Sequence, residues 1–345
     1  MTQFIVHVGP HKTGSTYLQE CFAQLRPQLA ERGIHFPTTW GPVAHHALSD
    51  ALSTVPNPKL EAQFAALHAA RHATVLISAE GLTGLPDASI AYFRSLIGAE
   101  HKLRCIFYAR AWGDILPSHW KESVKGGDSM TLPEYLFRRL HNPVVSFFVN
   151  FGVGLRIWAR YFGPGAISIV AYNQLVALRL DLFRHFADRF LGWPDPPALD
   201  VAATNVSPGT TDIEAIRAVA ALERLRAGRV LPHRYAGALA TQYMKRRAEL
   251  VTPTVAAALE GHTGRLFVNE GMPALAALHK ELMAEFGAAL VPPRLPNFFF
   301  RPRRAEILYV TPDWLLEAGV LDELRAIQRT LRAEVEAAGR RADGP

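Results

Sequence analysis

Phe4-Ile-Val-His-Val8, then Gly9-Pro-His-Lys-Thr-Gly-Ser-Thr16, then Tyr17-Leu-Gln-Glu-Cys-Phe22 is the stretch that decides the fold. Its first five residues are rich in β-branched and aromatic side chains and end at a Gly-Pro turn. That is the pattern of a strand buried within a parallel sheet. Beyond the turn, Leu18, Cys21, Phe22, Leu25 and Leu29 recur at helical spacing, with Pro27 as a kink or an end. A Gly-rich turn between a strand and a helix is suited to an anion. Backbone amides of the turn and the orphan donors of the first helical turn converge on one point, and the helix dipole adds partial positive charge there. Gly14 lets the backbone approach the anion closely, and Ser15 and Thr16 add hydroxyls.

Working outward, Thr74-Val-Leu-Ile-Ser78, Leu103-Arg-Cys-Ile-Phe-Tyr108 and Ala166-Ile-Ser-Ile-Val-Ala171 read as three further strands. Helical patterns lie between them, at 60–70, 89–97, 113–125 and 151–161. Strands alternating with helices predict an α/β fold, a central parallel sheet flanked by helices. Beyond Tyr172 the character changes to extra C-terminal helices, at 181–191, 211–225, 235–250 and 273–286. Residues 1–290 are expected to form one domain. Residues 291–345 are a Pro- and Phe-rich connector and a last amphipathic helix, expected to pack on the same domain.

The balance of 49% hydrophobic and 20% charged residues over 345 positions is that of a globular chain with a real core. A formal charge of +6 is compatible with an anionic ligand. Basic residues are not clustered with aromatics, so nucleic acid is not an expected partner. Cys21 and Cys105 each fall in an apolar pattern, away from metal-ligand spacing, and read as buried thiols. No basic leader with an apolar run precedes the first strand, and the longest apolar run, 144–154, is too short to span a bilayer. A soluble cytoplasmic protein with no integral membrane segment is expected.

The ordinary nucleotide loop is G-x-x-x-x-G-K-[ST]. Here Gly9, Gly14 and Thr16 match, Ser15 holds the lysine position, and the lysine stands at the apex as Lys12. A lysine after the second glycine reaches β- and γ-phosphates beside Mg²⁺. An apical lysine instead lies over a single 5′-phosphate and its bridging oxygen. No predicted strand ends in aspartate, the usual second anchor for Mg²⁺, so a metal-free site is expected.

Val8-Gly-Pro-His-Lys-Thr-Gly-Ser-Thr-Tyr-Leu-Gln19 resembles the 5′-phosphosulfate loop of the sulfotransferases that use 3′-phosphoadenosine 5′-phosphosulfate (PAPS), in particular the bacterial branch reading H-K-T-G-[ST]-T. Within Ile106-Phe-Tyr-Ala-Arg-Ala-Trp-Gly-Asp-Ile-Leu-Pro-Ser-His-Trp120, Arg110 closes a predicted strand and Ser118 follows eight residues on. This resembles the family's 3′-phosphate element, where a guanidinium fork and a hydroxyl meet a phosphate dianion. Trp158-Ala-Arg-Tyr-Phe-Gly163, Ile167-Ser-Ile-Val-Ala-Tyr-Asn-Gln-Leu175 and Leu182-Phe-Arg-His-Phe186 are similar to the family's later helix, strand and helix. The resemblance covers roughly residues 3–225. The family's closing loop over the nucleotide has no clear counterpart, and Asn205 and Ser207 are candidates for that role.

The resemblance implies a P-loop-kinase-like sulfotransferase fold and PAPS as co-substrate, with no metal. It implies in-line transfer of a sulfuryl group to a hydroxyl or amine of a small-molecule or glycan acceptor. Lys12 would neutralise the leaving oxygen, and the amides of Thr13, Gly14, Ser15 and Thr16 would cradle the phosphate. Glu80, directly after a strand, is the candidate proton acceptor, and His11 is its rival. His45 and His46 follow Trp40 in a possible acceptor loop, and a structural role is the more ordinary one for both. Trp40, Trp112 and Trp120 are suited to core packing or to stacking on a sugar. Two other functions fit the same loop: a P-loop kinase or NTPase, and a non-catalytic nucleotide- or glycan-binding module.

Overall fold

The computed structural model describes residues 1–199, 208–291 and 299–342. Two compact units divide the chain. The first comprises Met1–Ala111, Asn142–Thr204 and Gly271–Pro302, and the second Trp112–His141, Asn205–Glu270 and Arg303–Pro345.

The first unit is built on a parallel sheet of five strands: β1 (Gln3–Gly9), β2 (Ile34–His35), β3 (Thr74–Ser78), β4 (Lys102–Ala109) and β5 (Ile167–Ala171). Their order is β2-β3-β1-β4-β5, all parallel. The expected α/β architecture is therefore present. β1 lies at the centre, with Val6 opposite Ile77 on one side and Cys105 on the other. Helices cover both faces, which is why Phe4 through Gly9 are all buried. On one face Ile5, Leu76, Ile106 and Tyr108 meet Leu18, Phe22, Phe183 and Phe186. The rings of Phe22 and Phe186 lie 5.0 Å apart. Trp158, Phe93 and Phe162 form a second aromatic group, with Trp158 5.8 Å from Phe93 and 5.5 Å from Phe162.

Local sequence explains the helix limits. Helix Ser15–Gln24 stops, and a short helix Arg26–Glu31 restarts with Pro27 in its first turn, where a missing N–H costs nothing. Asn57 and Asp181 cap helices Pro58–Ala69 and Leu182–Leu191 by accepting the amides of Leu60 and Arg184. Arg156, on helix Gly152–Phe162, reaches Glu281 and Glu285 of helix Pro273–Phe286. After that helix the amide of Val291 donates to the carbonyl of Ile169 at 2.8 Å, which caps the outer edge of β5.

The second unit packs helices Trp112–Lys125, Thr210–Ala227, His233–Leu250 and Val320–Ala342 with an antiparallel pair, β6 (Thr263–Asn269) and β7 (Arg304–Val310). Its buried carboxylates are all engaged. Glu270 accepts the amides of Gly113 at 2.6 Å and Arg303 at 3.0 Å, and Glu214 pairs with Arg217. Among the described residues no helix is long and apolar enough to cross a membrane.

Candidate functional site

Strand order positions the site. β1 lies between β3 and β4, so the loops leaving the carboxyl ends of these three strands stand side by side, where ligands of open α/β sheets gather. The loop after β1 carries His11 and Lys12, the turn after β3 begins at Glu80, and Arg110 follows β4.

The first loop is braced from within. The hydroxyls of Thr13 and Ser15 both donate to the carbonyl of Pro10, at 2.7 and 3.2 Å. Thr13 and Ser15 are buried, and Thr16 is exposed. Lys12 has φ +68°, a left-handed conformation that costs an L-residue free energy. Its carbonyl is thereby turned to receive the guanidinium of Arg110. The same guanidinium stands over the ring of Tyr172, 5.3 Å from its centroid. Gly14 has φ +79° and caps helix Ser15–Gln24, and a side chain there would run into Leu182.

Glu80 opens a 3₁₀ turn, Glu80–Gly84, that is pinned to the end of β1. The amide of Ala79 donates to the carbonyl of His7 at 3.0 Å, and the buried hydroxyl of Thr83 donates to the carbonyl of Val8. The carboxylate is only 9% exposed and faces two imidazoles. Nδ1 of His11 lies 3.3 Å from Oε2, and Nε2 of His46 lies 3.9 Å from the same oxygen. Both imidazoles are about half exposed, at 52% and 54%. Burial alone would raise the Glu80 carboxyl. The contact with His11 and the charges of His11, His46 and His7 outweigh burial and hold it below the usual carboxylate range. His7, beneath the site on β1, bonds to Ser78 Oγ at 2.8 Å. Burial drives His7 down to about 4, and the charge of Glu80 offsets this only in part.

The pair His45-His46 divides its labour. Nδ1 of His45 accepts the amide of Ser78 at 3.1 Å and Nε2 lies 2.8 Å from the carbonyl of Pro37, so the ring is a neutral donor at Nε2. Its role is structural. His46, the next residue, turns outward to Glu80. Sequence reading grouped the two, and nothing in a His-His dipeptide says which ring points inward.

Ser118 belongs to the second unit, where its hydroxyl donates to the carbonyl of Asp114 one turn back. Asn205 and Ser207 lie outside the described residues. Trp40, Trp112 and Trp120 are each at most 3% exposed, which assigns them to packing rather than to a sugar platform. Cys21 and Cys105 are free and buried, and burial raises both thiols, Cys21 to about 12. Among the described residues no group of three or more His, Cys, Asp or Glu side chains is arranged to hold a metal ion. Tyr172, under Arg110, and Thr83, which pins the Glu80 turn, were not anticipated: Tyr172 falls in the Ile167–Leu175 segment, which was matched as a strand and not as part of a site, and Thr83 stands in no recognisable motif.

Three loops and the first residue of helix His46–Leu52 thus bring a cation at a loop apex, a strand-end guanidinium and a carboxylate with two imidazoles to one sheet edge. Comparison with protein-family models gave no match, and comparison with curated proteins gave none either.

Proposed function

We propose that the chain is a sulfotransferase that moves a sulfuryl group from PAPS to a hydroxyl or amine of a small-molecule or glycan acceptor. One observation carries the reading. The guanidinium of Arg110 holds the carbonyl of Lys12, so the two cations that would grip one bisphosphorylated adenosine belong to adjoining loops. The left-handed Lys12 and the close approach permitted at Gly14 fit a backbone cradle for a phosphate. The strand order, with such a loop after the central strand, agrees with a P-loop-kinase-like sulfotransferase fold. Two free buried thiols agree with a cytoplasmic setting.

PAPS supplies an activated sulfuryl group joined to phosphate through a bridging oxygen. As the acceptor oxygen or nitrogen bonds to sulfur, the bond to that bridging oxygen breaks and its electron pair leaves with the phosphate. Lys12 and the amides of residues 13–16 stabilise the charge that collects there. The acceptor's proton passes to the Glu80–His11 pair, whose buried carboxylate faces Nδ1 of the ring.

Differential scanning fluorimetry tests the reading. 3′,5′-ADP is expected to raise Tm without Mg²⁺, and ATP to do so much less. Equal shifts, or a strict need for Mg²⁺, would favour a P-loop kinase or NTPase and overturn the proposal.

A further inference from the structure

We infer that the turn joining helices Thr210–Ala227 and His233–Leu250 is a peripheral membrane contact. A cleft between Arg224 and Arg229 takes the phosphate of an anionic phospholipid, while Leu225 and Val230 enter the acyl boundary. The contact lies wholly within the second unit and is independent of the reaction proposed above.

The turn reads Arg224-Leu-Arg-Ala-Gly-Arg-Val-Leu-Pro-His-Arg234, with four arginines, and no Asp or Glu occurs between Glu223 and Glu249. A cation followed by an aliphatic residue stands on each side of Gly228, as Arg224-Leu225 and Arg229-Val230. Gly228 ends the first helix at φ +63°, the left-handed conformation that suits a glycine after a helix. Both pairs then face one open cleft of about 670 Å³, with Ser129 and Ala221 completing its wall. Among the described residues no carboxylate lines it.

Leu225 is 78% exposed and Val230 68%, whereas the adjoining Leu231 is 5% exposed and belongs to the core. One exposed aliphatic side chain is ordinary, but two beside a single basic cleft mark a contact surface. The arginines are largely unspent. Arg226 is engaged by the buried Glu223, and Arg224 makes one long contact, 3.4 Å, with the hydroxyl of Ser129. Arg229 and Arg234 are exposed and have no hydrogen-bond or ion-pair partner among the described residues. Helix electrostatics account for Arg224 and Arg226, which stand in the last turn of Thr210–Ala227 and complement its negative end. They do not account for Arg234. It stands in the first turn of His233–Leu250, where positive charge is unfavourable and no acidic residue offsets it.

Charge and apolar surface together select the partner. A bilayer of anionic lipids presents phosphates at one depth and acyl carbon just beneath, so arginines and aliphatic side chains of one short turn are satisfied together. A polynucleotide would leave Leu225 and Val230 against sugar and phosphate, and residues 224–234 hold no Phe, Tyr or Trp on which a base could stack. The neighbouring carboxylates are occupied. Glu223 is also bonded by Gln328 and Tyr235, and Asp128, beside Ser129, accepts the amide of Met130 at 3.0 Å. A cytoplasmic setting would bring the turn to the leaflet in which anionic lipids are concentrated.

Vesicle flotation of the full chain tests the contact. Vesicles of phosphatidylcholine and phosphatidylglycerol in equal parts are expected to carry the protein, vesicles of phosphatidylcholine alone are not, and binding should fall as salt rises. Arg229→Ala should weaken binding about fivefold, and Arg229→Ala with Arg234→Ala about 30-fold. Leu225→Ser with Val230→Ser should weaken it at unchanged charge. Arg71→Ala makes the same change of net charge at an exposed residue of the first unit and should have far less effect. An equal loss in Arg71→Ala would reduce the effect to the overall charge of the chain and overturn the inference, as would full binding by the two-serine variant. Complete displacement by inorganic phosphate at the concentration of lipid phosphate would mean a site for a soluble anion. Binding of polyglutamate or of a double-stranded oligonucleotide that depends on Arg229, with none to vesicles, would mean an acidic protein or a nucleic acid. Either result overturns the membrane contact. If the melting curve of Arg229→Ala shows loss of the fold, Arg229→Gln is read in its place.

Discussion

Arg110 donates its guanidinium to the backbone carbonyl of Lys12, so the residue that ends β4 fixes the apex of the loop that follows β1. Two neighbouring strands of the sheet are thereby joined beyond their hydrogen-bonded ladder. The bond is charge-assisted and partly buried, a class that contributes about 1.5–3 kcal/mol.

If the proposed sulfotransferase reading holds, Arg110→Ala is expected to weaken binding of 3′,5′-ADP by about 2 kcal/mol, or about 30-fold, because it would remove a phosphate ligand and release Lys12 together. Arg110→Lys should not rescue it. An ammonium cannot bond the Lys12 carbonyl and a phosphate in one plane, nor stack on Tyr172 as a guanidinium does. Titration calorimetry decides the matter, and wild-type affinity in the lysine variant would separate Arg110 from the ligand.

The sheet was legible where strands are buried on both faces. β1, β3, β4 and β5 are each dominated by β-branched and other apolar residues despite His7, Arg104 and Ser168 within them, and the residues just past their ends, His11, Lys12, Glu80 and Arg110, could be named as neighbours from topology alone. Short or half-exposed strands were not legible. β2 spans two residues and has no period to detect. β6 and β7 are separated by a long stretch of chain, and their exposed faces mix Arg265, Phe267, Glu306 and Leu308, so neither half predicts its partner. The approach of His46 to Glu80 was hidden for a related reason. The inward turn of His45 is set by Ser78 and Pro37, residues remote enough that only the folded chain brings them to the ring.

Gly9→Ala is expected to destabilise the protein through two separable effects. Gly9 has φ +90°, and a Cβ there would lie 3.1 Å from Cα of Glu80. Gly163 has a similar φ, +85°, with no neighbour within 4 Å of the corresponding position. Gly163→Ala should therefore cost only the backbone strain, roughly 1–3 kcal/mol. Gly9→Ala should cost more and should also displace Glu80 from His11. Urea midpoints of the two variants measure the difference. Equal losses would mean that the 80–84 turn moves aside freely.

Stability should fall between pH 6.5 and pH 4 because three imidazoles in the first unit are buried in the neutral form. Burial drives His7, His45 and His185 each from 6.5 to about 4. An unfolded chain binds protons at these sites near pH 6.5, whereas the folded chain resists until near pH 4. The folded state is therefore at full advantage above pH 6.5 and loses it as the pH drops toward 4, by roughly 3 kcal/mol for each ring. Glu80, held below the usual carboxylate range, adds a loss of the same sign at still lower pH, because its stabilisation is present only while it is ionised. His45 is the clearest of the three, since protonating Nδ1 would break its bond from the Ser78 amide. Gln at this position can accept from Ser78 and donate to Pro37 without titrating. His45→Gln should thus be less stable than wild type at pH 7.5, through lost packing against Phe36 and Trp40, yet show a shallower decline on acidification. Urea unfolding at pH 7.5, 6.0 and 5.0 reads both quantities. A wild-type stability that stays level across that range would show that these rings are hydrated in the folded chain.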